Sequence, residues 1–173
     1  RLTFALRRRR LPEPTRRFRY LDLGCGKGMT ALAIAAANPQ AEVVGVDLSP
    51  NHVVEARDAA RAAELDNATF EEASFAEMLD RPDPEPFDHV LCHGVLTWIS
   101  AENRARVMEI LRRVVAPGGT VQLGYNAMPG WAPVEPFRKL AVSLAANRVG
   151  KDAANAIGEA YGFLDRLRGL GAR

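Results

Sequence analysis

The sequence predicts an α/β fold, a doubly wound parallel sheet with helices on both faces, and three observations carry the prediction. Five short apolar segments with strand character alternate with helix-like segments between Arg19 and Tyr125. The first strand runs straight into the glycine-rich Gly24-Cys25-Gly26-Lys27-Gly28, which opens a helix. The second strand closes on an acid, Asp47, 19 residues beyond Gly28. Strands separated by helices pair in parallel, because each right-handed crossover lays its helix on a sheet face.

The elements follow in order. Arg19 to Leu23 is the first strand. Met29 to Ala37 is a helix of alanine, leucine and methionine, ended by Asn38-Pro39 because proline cannot continue the hydrogen-bond ladder. Glu42 to Asp47, with Val43, Val44 and Val46, suits a buried parallel strand. Ser49 caps the next helix, with Pro50 at the first position, where a missing N–H costs nothing. Its apolar face is Val53, Val54, Ala56, Ala60 and Ala63. A third strand is expected at Thr69 to Glu72, a surface loop at Arg81 to Pro86, and a fourth strand at Phe87 to Cys92. Ser100 caps a helix with an inward stripe of Val107, Ile110, Leu111 and Val114, and Pro117-Gly118-Gly119 is expected to stop it before a fifth strand, Thr120 to Tyr125. Beyond lie a loop, Asn126 to Pro136, and two helices, one with Phe137, Leu140, Ala141 and Leu144 on a face, the other with Ala153, Ile157, Tyr161, Leu164 and Leu167. No sixth or seventh strand is readable.

The chain thus divides into a basic arm (residues 1–18), a core (19–136) and a helical segment (137–173). At 173 residues, 47% hydrophobic and 25% charged, it fits one domain with a sizeable core. No apolar run approaches the roughly 20 residues that cross a bilayer, so a soluble, cytoplasmic protein is expected. Cys25 and Cys92 form neither a metal spacing nor a disulfide framework. The net charge of +2 hides an asymmetry: residues 1 to 19 hold eight arginines and one acid, leaving 15 bases against 20 acids beyond. Basic charge confined to one arm, without an interleaved aromatic platform, argues against a nucleic-acid partner. The chain opens on Arg1 rather than methionine, which suggests a piece of something longer.

Ligands of open parallel sheets bind beyond the carboxyl ends of the strands where strand order reverses, so the glycine loop is the place to look. Gly24, Gly26 and Gly28 allow a tight turn and close backbone approach, and an acid at position 47 can accept both hydroxyl protons of a ribose. This pattern admits a dinucleotide or an adenosyl group. The dinucleotide fingerprint G-x-G-x-x-G needs glycine where Met29 stands, which disfavours an NAD-dependent oxidoreductase. Asp22-Leu23-Gly24-Cys25-Gly26-Lys27-Gly28, together with Val46-Asp47-Leu48-Ser49-Pro50, Phe87 to Gly94 and Ala116 to Val121, resembles class I S-adenosylmethionine-dependent methyltransferases, which have a Rossmann-like fold. The resemblance implies S-adenosylmethionine as cofactor. It implies a cofactor site of Asp22, Gly24, Cys25, Gly26, Gly28, Asp47, Leu48, Ser74, Phe75 and His93, with Asp22 on the cofactor's amino group and Asp47 on its ribose. Many relatives place an aspartate after the third strand for the adenine amino group; here Ser74 could hydrogen-bond it and Phe75 cover the ring.

His93-Gly94-Val95-Leu96-Thr97-Trp98 and Tyr125 to Trp131 resemble a narrower group, bacterial methyltransferases with an added regulatory domain, protein-lysine methyltransferases among them. That implies an acceptor left open between a protein lysine and a small molecule. No Asp/Asn-Pro-Pro-aromatic sequence follows the fourth strand, which lowers DNA adenine as acceptor. His93, Tyr125 and Asn126, at the ends of the fourth and fifth strands, are the candidates for orienting a nucleophile; His93 is equally a satisfied strand-end histidine. Trp98 and Trp131 are either core or walls of an acceptor pocket. The unread sixth and seventh strands suggest a truncated relative, so an S-adenosylmethionine-binding regulatory module without turnover stands as the alternative to an active enzyme.

Overall fold

The computed structural model describes residues 16–82, 84–146 and 153–169. The basic arm lies outside these up to residue 15, and Phe18 already belongs to the first strand. The described residues form two compact units, divided between Tyr125 and Asn126.

In the first unit β1 (Phe18–Leu23) leads through the glycine loop into α1 (Met29–Ala37). Then come β2 (Ala41–Asp47), α2 (Pro50–Ala62), β3 (Ala68–Glu72), α3 (Phe75–Asp80), β4 (Phe87–His93), α4 (Ala101–Val114) and β5 (Val115–Gly124). The sheet order is β3-β2-β1-β4-β5, parallel throughout, and chain order reverses between β1 and β4. Period-two alternation sends Leu21, Leu23, Val90 and Cys92 to one face, where they pack with Val107, Ile110, Leu111 and Val114 of α4. Tyr20, Val43, Phe70 and Leu91 face the other way, against Ala31 and Ala35 of α1 and Val53, Ala56 and Ala60 of α2. The alanine faces let both helices approach the sheet closely.

Caps set the helix starts. The Ser49 side chain accepts from His52 N with Pro50 in the first turn, and Ser100 accepts from Asn103 N. Two expectations are corrected. Pro117-Gly118-Gly119 does not stop a helix ahead of the fifth strand: α4 ends at Val114 and β5 begins at once, with the proline and glycines inside it. There β5 advances from Val115 to Thr120 while β4 advances only from Phe87 to His89, a bulge that accommodates a proline with no N–H to give and Gly118 at φ 80°. The fifth strand also ends at Gly124, so Tyr125 follows it. Ser74 and Phe75 follow β3 at the start of α3. Ser74 caps α3 in a reciprocal box, its hydroxyl accepting from Glu77 N and its own N–H donating to Glu77 Oε2. Phe75, at the first position of α3, packs half-buried against the apolar core.

The second unit is a turn-rich segment followed by α5 (Glu135–Ala146) and α6 (Ala153–Gly169). α5 begins at Glu135, inside the loop expected to run to Pro136. Glu135 explains the start: its carboxylate accepts from Trp131 Nε1 at 3.2 Å and from Arg138 Nε and Nη2 at 2.9 Å each. Phe137 and Leu140, read as part of an apolar face, are exposed. No described helix is long and apolar enough to cross a membrane.

Candidate functional site

The strand-order reversal places the carboxyl ends of β1 and β4 side by side, with Asp22 opposite Leu91 in register. Asp22, Gly24 to Gly28, Asp47 and His93 gather at this edge. The loop is bound to β2: Gly24 N and Cys25 N donate to Val46 O at 2.8 and 3.0 Å, and Gly28 N donates to Cys25 O at 3.0 Å.

The three loop glycines share left-handed backbone but differ in what surrounds them. A side chain at Gly24 would strike Val95 at 2.4 Å, and one at Gly28 would strike Phe70 at 2.6 Å and Ala56 at 2.9 Å. At Gly26 nothing lies within 4 Å of a Cβ position, at φ 54°. Gly28 is therefore a packing glycine and Gly26 is the one that opens onto space a ligand can fill.

Asp47 fixes that loop. Its Oδ2 accepts from Gly26 N at 2.8 Å, and its Oδ1 from Ser49 N at 2.9 Å, with His52 Nδ1 at 3.2 Å from the same oxygen. A carboxylate has about four lone-pair sites, so acceptor capacity remains for a hydroxyl. His52 was missed from sequence. It comes within reach because the Ser49-Pro50 cap starts α2 just after Asp47.

Asp22 is the buried polar residue of the described core, 3% exposed, and no described residue donates a hydrogen bond to its side chain. Burial pushes its carboxyl up to about 6; the His93 imidazole pulls against that shift and the Asp47 carboxylate adds to it. A buried carboxylate without donors fits a cationic ligand group, and the open space at Gly26 fits close approach of its backbone-hugging portion. The residues present thus suit an adenosyl cofactor with an amino group at one end. Burial also raises the Cys25 and Cys92 thiols, to about 12 and about 11, so neither is a nucleophile at neutral pH.

His93 ends β4 with its side chain exposed, paired in register with Gly124. Tyr125, 61% exposed, is the next residue along the chain. Leu48 and Met29 are exposed at the same carboxyl edge, after β2 and the glycine loop. Trp98 is 60% exposed in the turn after β4. Ser74 follows β3, its hydroxyl engaged in capping. Asn126 and Trp131 belong to the second unit. Lys27 is an exposed partner of Glu55. Among the described residues no cluster of His, Cys, Asp or Glu could hold a metal ion.

The chain is similar to known proteins in sequence and fold. Residues 14–147 match the family model described as a methyltransferase domain. An uncharacterized protein of Synechocystis sp. is 35% identical over 136 residues, covering 79% of this chain and 27% of its own length. A trans-aconitate 2-methyltransferase of Methylobacterium nodulans is 36% identical over 139 residues, covering 75% of this chain and 50% of its own. The structure of PKMT2 from Rickettsia typhi in complex with AdoHcy superposes with a TM-score of 0.67 at 26% identity, covering 90% of this chain and 29% of that one. The chain thus spans about a quarter to a half of the length of these relatives. With a family match over most of its residues and a fold shared with a structure holding S-adenosylhomocysteine, the chain belongs to the methyltransferase domain family whose cofactor is S-adenosylmethionine.

Proposed function

We propose that this chain is the cofactor-binding and methyl-transferring domain of an S-adenosylmethionine-dependent enzyme whose acceptor is an amine, either a protein lysine or a small molecule. The observation that carries it is Asp22, a buried carboxylate with no donor, at the strand-order reversal beside the open Gly26. Asp22 would hold the cofactor's amino group, Asp47 its ribose, the loop backbone from Gly24 to Gly28 its methionine portion, and Leu48, Ser74 and Phe75 the adenine. Phe75 does so from the start of α3, where its ring is half-buried. A cytoplasmic setting suits the free thiols Cys25 and Cys92.

The cofactor supplies a methyl group already activated on a sulfonium, so the protein's task is to align the nucleophile and exclude water. His93, at the end of β4, and Tyr125, the residue after β5, are assigned to orient the acceptor. An amine must arrive unprotonated, and an exposed imidazole at the strand end can take its proton or hold it by a hydrogen bond. The acid excess of the main body, 15 bases against 20 acids beyond residue 19, suits an amine better than a polycarboxylate. The likeness to PKMT2 supports the lysine alternative, whereas that to a trans-aconitate methyltransferase favours the competing reading of a small carboxylate acceptor.

The test is transfer of isotopically labelled methyl from S-adenosylmethionine to panels of lysine peptides, small amines and small carboxylates, with product identified by mass spectrometry. Labelled amine product is expected. Labelled carboxylate ester would overturn the acceptor class, and cofactor binding without any product would reduce the domain to a binding module.

A further inference from the structure

Gly124 is a glycine for a different reason from those of the loop. Its backbone is not among the left-handed positions, so its conformation would accept an ordinary side chain. Space excludes one. A Cβ at Gly124 would lie 2.0 Å from His93 Nδ1, 2.8 Å from Cε1 and 2.9 Å from Cγ. The imidazole occupies the place where a side chain at residue 124 would be. The two residues are register partners at the carboxyl ends of β4 and β5, and the junction is tied by Gly94 N donating to Gly124 O at 2.9 Å.

We propose that Gly124 is a positioning residue for His93: the missing side chain at the end of β5 seats the imidazole at the carboxyl edge beside Asp22, facing the charged end of the cofactor. The inference rests on the reading of Asp22 as the cofactor's acid. An alanine at position 124 forces the ring to rotate away or the ends of β4 and β5 to part, because a closed shell cannot sit 2.0 Å from a ring nitrogen. Either movement takes away the imidazole that opposes the effect of burial on Asp22, whose carboxyl stands at about 6. The glycine acts on the site only through the imidazole it admits. A glycine needed merely to close the strand pair would act whatever stood at position 93.

The experiment is a double-mutant cycle of Gly124→Ala and His93→Ala with two readouts. One is S-adenosylhomocysteine affinity by calorimetry; the other is the Asp22 carboxyl titration, followed by carbon NMR on ligand-free protein. Each single variant is expected to weaken binding roughly five- to tenfold, and the double variant no more than His93→Ala alone. In Gly124→Ala, Asp22 is expected to titrate above its wild-type value. Any fall in melting temperature in Gly124→Ala is expected to be restored by adding His93→Ala. The proposal is overturned if Gly124→Ala weakens binding by the same factor in the His93→Ala background. It is equally overturned if Gly124→Ala leaves the Asp22 titration unchanged, or if a lowered melting temperature persists in the double variant. Asp22→Asn in the same calorimeter separates the two ideas: undiminished affinity there defeats the cofactor reading, while the ligand-free titration still decides whether Gly124 seats His93.

Discussion

Replacing Asp22 with asparagine should move stability and cofactor affinity in opposite directions. The residue is 3% exposed and no described group donates to its side chain. Its carboxyl is pushed up by burial to about 6, against about 3.9 for an unperturbed aspartate. A proton affinity about a hundredfold above that of the unfolded chain, at about 1.4 kcal/mol for each factor of ten, means that ionised Asp22 costs the empty fold about 3 kcal/mol. Because the folded value is the raised one, stability falls as pH rises from about 4 to about 6, and the whole cost is present above that. Asparagine removes the charge but leaves an amide without partners, so the net gain at pH 7 is about 1 to 2 kcal/mol, a rise in melting temperature of roughly 3 to 8 °C. At pH 4 the ionisation cost is nearly gone while the unpartnered amide remains, so the variant should melt below the wild type, by about 1 kcal/mol. The same change deletes a charge-assisted contact to an ammonium, which is worth about 1.5 to 3 kcal/mol, so S-adenosylhomocysteine should bind roughly ten- to a hundredfold more weakly. Calorimetry and thermal melts at pH 4 and pH 7 measure both arms. A lowered melting temperature at pH 7 together with lost binding would make Asp22 a structural residue and refute the reasoning. Undiminished binding would remove it from the site.

Substitutions at four further positions probe separate parts of the account. Asp47→Ala strands the N–H groups of Gly26 and Ser49 and should lower stability by about 2 kcal/mol as well as weaken S-adenosylhomocysteine binding, while Asp47→Asn keeps an acceptor and should cost less of both; unchanged affinity in either variant would dissociate Asp47 from the ribose. Gly26→Ala and Gly28→Ala should give opposite profiles in melts and calorimetry: the first meets open space and loses mainly binding, with about 1 to 2 kcal/mol of left-handed strain, and the second collides with Phe70 and loses the fold. Trp131→Ala should spare S-adenosylhomocysteine affinity and reduce methyl transfer to whichever acceptor the labelling assay finds, and a loss of both with a lowered melting temperature would mark the ring as core.

Much of the first unit was legible because its signals are local. The Ser49-Pro50 cap, the Asn38-Pro39 stop and the alanine-rich faces of α1 and α2 each depend on a few neighbouring residues, and the structure places them where the pattern does. The Ser74-x-x-Glu77 capping box is equally local, but it opens a helix of six residues, too short to show an apolar period. The bulge at Pro117 to Gly119 could not be read in this way. A Pro-Gly-Gly run signals a helix stop as readily as a strand irregularity, and the choice is made by pairing with β4. Three features of the site depend on register or on what is missing: the lack of donors around Asp22, the reach of His52 to Asp47, and the imidazole lodged on Gly124. None has a signature in one dimension, since each needs two strands, or a strand and a helix, brought together.

The central claim, an adenosyl cofactor held by Asp22, Asp47 and the loop around Gly26, is tested most directly by calorimetric titration of the chain with S-adenosylmethionine, S-adenosylhomocysteine and NAD at pH 7. The account predicts one saturable site for the two adenosyl ligands, with a Kd on the order of micromolar, about −8 kcal/mol, and no heat from NAD. Saturable binding of NAD, or an absence of binding by both adenosyl ligands to the folded chain, would contradict it.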